Sequence, residues 1–179
     1  YIKFEKVSPR NILSFHAKIA MIYNRQGKTH EMINTFFEMI SLNERFLNSV
    51  QNGLVNSIDF ESQLKEKEIL RKAIIKNIQI NPNKIVFVEL LSWYYMLNND
   101  YENAYIQIKS IDKKLNSNGQ KVLELGNTAL NNNDFNIAIK CYDYVINNSS
   151  LIEIKFEAKN KRLLTFKTKL LNGSKIIKE

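Results

Sequence analysis

Few residues of this 179-residue chain are of the types that do chemistry. The two histidines, His16 and His30, stand 14 positions apart. They lack the short helical spacing that lets two imidazoles share a metal. Cys141 is the sole cysteine, which excludes an internal disulfide and a multi-cysteine zinc site. Lys140 is the one adjacent cation that would favour its thiolate, so a packed thiol is expected and not a nucleophile. Glu66 and Glu68 fall on helix positions expected to face water, where they are solvated and not a catalytic pair. The glycines are Gly27, Gly53, Gly119, Gly126 and Gly173, and the nearest two are seven apart. That excludes the glycine-rich loops that cradle phosphates. The residues predict no catalytic site, no enzyme activity, no cofactor and no bound metal.

The composition indicates which elements must carry whatever the chain does. Five Gly and two Pro are about a third of the ordinary share. Sandwiches, barrels and small disulfide scaffolds need turn residues far more often. The 44% hydrophobic share is enough for a core, and such a chain is most simply all-helical. The longest apolar run, Ile85 to Leu97, contains Glu89 and is too short for the ~20 residues of a membrane span. It predicts a buried helix in a soluble chain. The first residues have no apolar signal core, and the lone Cys141 fits both a reducing cytoplasm and a bacterial periplasm, so localisation stays open. The 24 Asn and 21 Lys suggest an AT-rich coding bias and solvated surface.

The chain repeats itself. Residues 88–111 align without gaps on 122–145, pairing Leu91 with Leu125, Asp100 with Asp134, Tyr101 with Phe135 and Ala104 with Ala138, each 34 apart. Asn98-Asn99 recurs as Asn132-Asn133. Val88, Leu91 and Tyr95 share one helical face. Asn98-Asn99-Asp100 supplies turn and N-cap residues. Tyr101, Ala104, Ile108 and Ile111 then mark a second helix. A small residue in each helix, Ser92 or Gly126 facing Ala104 or Ala138, lets the backbones approach, since larger residues would overpack.

A 34-residue helix–turn–helix period, with Leu125-Gly126, Phe135, Ala138 and Tyr142 in one unit and Leu91-Ser92, Tyr95, Tyr101 and Ala104 in the preceding one, resembles the tetratricopeptide repeat family. Val145 replaces the last Ala of the pattern, and Ser92 replaces Gly. Ile19-Ala20, Tyr23, Gly27 and Phe36 mark a further unit, in which Met32 stands where Ala is usual and predicts a splayed or shifted pair. The resemblance implies an all-α, right-handed α-solenoid. It would form a single domain over 1–179, with repeats at 9–42, 43–80 (degenerate), 83–116 and 117–150. The degenerate unit has helices over 44–57 and 63–80 and about four extra residues in the loop Asp59–Ser62. Pro9 and Pro82 fit repeat boundaries, where Pro disfavours helix in the preceding residue. Tyr1 and Phe4 resemble the tail of a preceding second helix, which implies that a repeat precedes this segment. His16 falls where the repeat packs an apolar residue, which predicts a partly buried structural histidine.

Residues 150–172 read as a final helix, either a cap or the first helix of another repeat. Ser150 and Glu153 form a capping box, and Gly173 is expected just past the end. Ile152, Phe156, Leu163, Leu164, Phe166 and Leu170 make an apolar stripe. Lys155, Lys159, Lys161, Arg162, Lys167 and Lys169 make the opposite face basic. Of the net charge of +8, most is concentrated after residue 150. That face is a solvated cap surface or a patch for acidic partners.

Proteins of this resemblance bind peptides or partner domains along the first helices of their units. The groove-facing candidates are Met21, Asn24 and Arg25; Glu89, Trp93 and Met96; and Asn127, Leu130 and Asn131. Trp is a favoured interface residue, and Met supplies an adaptable apolar surface. Asn pairs with a peptide backbone as donor and acceptor. A subclass grips acidic C-terminal peptides with a Lys and Asn set. Only Asn127 matches it here, with Ala17, Met21, Glu89 and Trp93 at other such places. The expectation is a protein-interaction scaffold for a peptide or protein segment. The alternatives are nucleic-acid or anionic-surface binding through the basic helix, and a non-catalytic region of a larger protein. The aromatics are not interleaved with Lys and Arg as base stacking requires, which argues against nucleic acid.

Overall fold

The computed structural model describes residues 9–176, with side chains from Phe15 to Asn172. Tyr1, Phe4 and the basic Lys178 lie outside the described residues. Among those described, all regular structure is helical: α1 (Pro9–Arg25), α2 (Thr29–Leu42), a 3₁₀ turn (Glu44–Phe46), α3 (Leu47–Ser57), α4 (Leu64–Ile80), α5 (Ile85–Leu97), α6 (Tyr101–Leu115), α7 (Gln120–Asn131), α8 (Phe135–Asn148) and α9 (Ile152–Ile176). None of these helices is long and apolar enough to cross a membrane. The chain divides into two compact units, one ending at Leu90 and one beginning at Leu91.

Three helix junctions are built alike. Gly27, Asn99 and Asn133 adopt the left-handed conformation, with φ of 69°, 55° and 62°. In each case the next residue donates its N–H to the carbonyl five positions back: Lys28 to Tyr23, Asp100 to Tyr95 and Asp134 to Ala129, all at 2.9 Å. This closes the preceding helix in the manner of a Schellman cap. Asn tolerates the left-handed region better than other non-glycine residues, so it does at 99 and 133 what glycine does at 27. Asp100 and Asp134 then cap the following helices, accepting from the N–H of Asn103 and of Ile137. The junction from α3 to α4 is longer, six residues in place of three. There Asp59 accepts from Glu61 N and Ser62 Oγ, and its own N–H donates to Gln63. The Ser62 hydroxyl, then the Glu61 N–H, hold the Asp59 carboxyl below the ordinary range.

In the first unit α2 is central and packs on α1, α3 and α4. It buries Met32, Ile33, Phe36, Phe37, Met39 and Ile40. Met32, in place of the usual Ala, is buried within this core, where a flexible thioether fills irregular space. Phe37 meets Phe87 edge-on at 5.5 Å.

In the second unit α6 packs on α7 and α8, α7 on α8 and α9, and α8 on α9. Gly126 permits the closest approach. A Cβ there would lie 2.8 Å from the Tyr142 ring and 3.0 Å from Cys141 Cβ. The sequence placed Gly126 opposite Ala138; its nearest neighbours are Cys141 and Tyr142, one turn further along α8. A buried carboxylate stitches the far end. Asp112 Oδ1 accepts from Gly119 N (2.7 Å) and Ser117 Oγ (2.7 Å), and Oδ2 accepts from Tyr144 Oη (2.8 Å).

The last helix departs from expectation in two ways. The capping box does not form, because the N–H and hydroxyl of Ser150 both donate to Asn118 Oδ1, and α9 starts at Ile152. Gly173 does not end the helix, which runs on to Ile176. The apolar stripe is exposed. The packed face is built from Ala158 and Thr165, both at 0% exposure, with Ile154 against the same cluster, and Arg162 pairs with Asp143 beside them.

Candidate functional site

The first unit contains a cleft of about 370 Å³ between α1 and α3. Ala17, Met21, Asn24 and Arg25 line it from α1, and Ser49, Gly53, Asn56 and Ser57 from α3. Both sets follow the pattern i, i+4, i+7, i+8, which keeps four side chains on one helical face. Each α3 residue lies 32 positions after its α1 counterpart. Phe36 and Met39 of α2 complete the lining. Gly53 makes this geometry possible, since a Cβ there would stand 2.6 Å from the Phe36 ring. The wall therefore comes down onto an aromatic floor.

The lining combines an apolar floor (Met21, Phe36, Met39) with polar edges (Asn24, Ser49, Asn56, Ser57). Arg25 is the one charged side chain among these lining residues. Met21 is 53% exposed, so its thioether is accessible at the mouth. Such a surface suits a segment that inserts one apolar side chain and offers carbonyls or a carboxylate at the rim.

Three of the nine sequence-predicted residues thus come together: Met21, Asn24 and Arg25. Glu89, in the same unit, does not line the cleft. It and Trp93 are half-buried on α5. Met96 and Leu130 pack against the buried cluster of the second unit. Asn127 accepts the Tyr142 hydroxyl at 2.9 Å, so its carbonyl oxygen serves the hairpin. Asn131 is exposed at the end of α7. The α3 residues were missed because 43–80 carries only a degenerate repeat, without the pattern that marks the groove-facing positions. The 32-residue offset from α1 was the available signal.

His16 and Glu68 each lie beside a group of opposite type. His16 is partly buried, with Nε2 3.9 Å from Glu38 Oε2. Glu68 receives both Arg71 Nε and Nη2 at 2.9 Å. That pairing holds its carboxyl below the ordinary value. No group of three or more His, Cys, Asp or Glu among the described residues is placed to hold a metal.

Cys141 is fully buried, and burial pushes its thiol up to about 12. The unfolded thiol ionises near 9, so the folded state holds a proton that the unfolded state has lost. Stability is complete below pH ~9 and falls from there towards ~12, by about 1.4 kcal/mol per pH unit for a fully mismatched group. We expect thiol reagents at pH 8 to label Cys141 at least about 100-fold more slowly than the urea-unfolded chain. Equal labelling rates would show the site to be open.

No family model and no curated protein matches this chain.

Proposed function

We propose that the chain is a tetratricopeptide-like, right-handed helical solenoid that binds a peptide or extended protein segment along the first helices of its hairpins, without catalysis of its own. The observation that carries this reading is the cleft between α1 and α3, where two helices present equivalent positions 32 residues apart over the Phe36–Met39 floor. The shared junction at Gly27, Asn99 and Asn133 supports the repeat reading, because one turn chemistry recurs at spacings of 72 and 34 residues.

Capture of partners by the intact protein, followed by mapping of the bound segment, supplies the ligand for the test. Met21→Glu with Arg25→Glu changes two exposed side chains of the mouth. The double variant is expected to lose at least about tenfold in affinity for the mapped segment, or 1.4 kcal/mol, with its melting temperature unchanged. Undiminished binding would move the ligand away from this cleft. Trp93→Ala then tests α5 separately. Asn127→Ala is a poorer probe, since it also removes the Tyr142 hydrogen bond.

A further inference from the structure

One face of α9 is apolar and is not covered by any described residue. Ile152 is 74% exposed, Phe156 65%, Leu163 71% and Leu170 74%, with Phe166 at 45%. At 100° per residue these five fall within roughly 80° of arc. They are separated from the Ala158–Thr165 face that packs on α8. Their spacing is that of a heptad seam: 152, 156, 159, 163, 166, 170, in alternating steps of four and three. Lys159 occupies the one polar position of the seam. The alternation of four- and three-residue steps is the spacing of paired helices, and Leu164 (48% exposed) and Leu171 (55%) widen the apolar face on one side.

The charge beside the seam selects its occupant. Lys155 and Lys167 flank it and Lys159 sits within it, against one flanking carboxylate, Glu153, on the Lys167 side. A second copy aligned in parallel would set Lys159 against Lys159, which helix pairing penalises, whereas an acidic helix meets all three lysines with carboxylates. We propose that this face of α9 is a docking seam for an acidic amphipathic helix of a partner protein. The partner would place apolar residues at three- and four-residue steps and carboxylates opposite Lys155, Lys159 and Lys167. The seam is already fixed in place, because Arg162 is tied to Asp143 and Lys169 Nζ to Asn136 Oδ1 at 2.9 Å. Binding therefore orders little of this protein, which favours affinity. The seam is separate from the α1–α3 cleft, and the proposal stands independently of it.

The test titrates the 179-residue chain with two labelled synthetic helical peptides of about 21 residues, three heptads long. Both carry Leu at the seam positions. One has Glu on its flanks, the other Lys. The acidic peptide is expected to bind at least about tenfold more tightly at low salt, and to weaken as salt rises. Phe156→Glu with Leu163→Glu should abolish its binding with helicity and melting temperature unchanged, since both side chains are exposed. Equal or tighter binding of the lysine peptide overturns the proposal, as does binding that survives the double variant. A dimer in sedimentation that Leu163→Glu dissociates would assign the seam to a second copy. Stronger partition onto vesicles with roughly 30% phosphatidylserine than onto the peptide would assign it to a membrane. Either of these last two results overturns the proposal.

Discussion

Asp112→Ala is expected to cost about 3 kcal/mol in urea denaturation. The carboxylate is buried and accepts from Gly119 N, Ser117 Oγ and Tyr144 Oη, all within 2.8 Å. Removing it leaves a buried backbone N–H and two hydroxyls to find other acceptors. Each buried polar group left unpaired costs about 1–3 kcal/mol. The hydroxyls can rotate and recover part of that; the Gly119 N–H cannot. Asp112→Asn keeps an acceptor for Gly119 and lets the Tyr144 hydroxyl turn to accept, so its cost should be nearer 1 kcal/mol. Burial first, then the hydrogen bond to Asp112, raise the Tyr144 hydroxyl to about 12. In Asp112→Ala the tyrosinate should therefore form at lower pH, which a 295 nm titration reads. A loss under about 1 kcal/mol in the alanine variant would show that the network is not what ties α6 to α8.

Gly126→Val should be as damaging. The added Cβ alone would lie 2.8 Å from Tyr142 Cε1 and 3.0 Å from Cys141 Cβ. Neither neighbour yields easily, because Tyr142 is fully buried and held by Asn127, and Cys141 Cβ is fixed by the α8 backbone. Overpacking costs about 1–3 kcal/mol, and the branched side chain belongs at the upper end. Gly126→Ala sets two effects against each other. The helix gains about 1 kcal/mol when Gly becomes Ala, while the contact forces α7 and α8 apart. The overpacking term is the larger, so we expect a net loss of about 1 kcal/mol. A more stable alanine variant would mean that the two helices separate freely.

The contrast between the two sites shows what the sequence makes legible. Gly126 was marked by the repeat itself, since a small residue recurs at the helix crossing. So were the junctions at Asn99 and Asn133, where turn chemistry is local. Asp112 carried no such mark: its partners lie up to 32 residues away, and one is a backbone N–H with no side-chain signal. The α3 half of the cleft was hidden for a related reason. Ser49, Gly53, Asn56 and Ser57 are small and polar, and only their common offset from α1 joins them. At α9 the apolar stripe and the packed face are different: the stripe from Ile152 to Leu170 is exposed, whereas Ala158 and Thr165 are fully buried and Ile154 packs against the same cluster. Close helix packing admits small side chains, which carry little hydrophobic signal.

The sequential packing within each unit also governs how quickly structure forms. In the second unit α6 touches α7 and α8, α7 touches α8 and α9, and each partner is the next helix or the one after it. Three of the junctions there are three residues long, so little loop-closure entropy is spent before a contact is rewarded. Contacts of such short sequence separation place a unit among fast folders, reaching its native state in roughly microseconds to milliseconds.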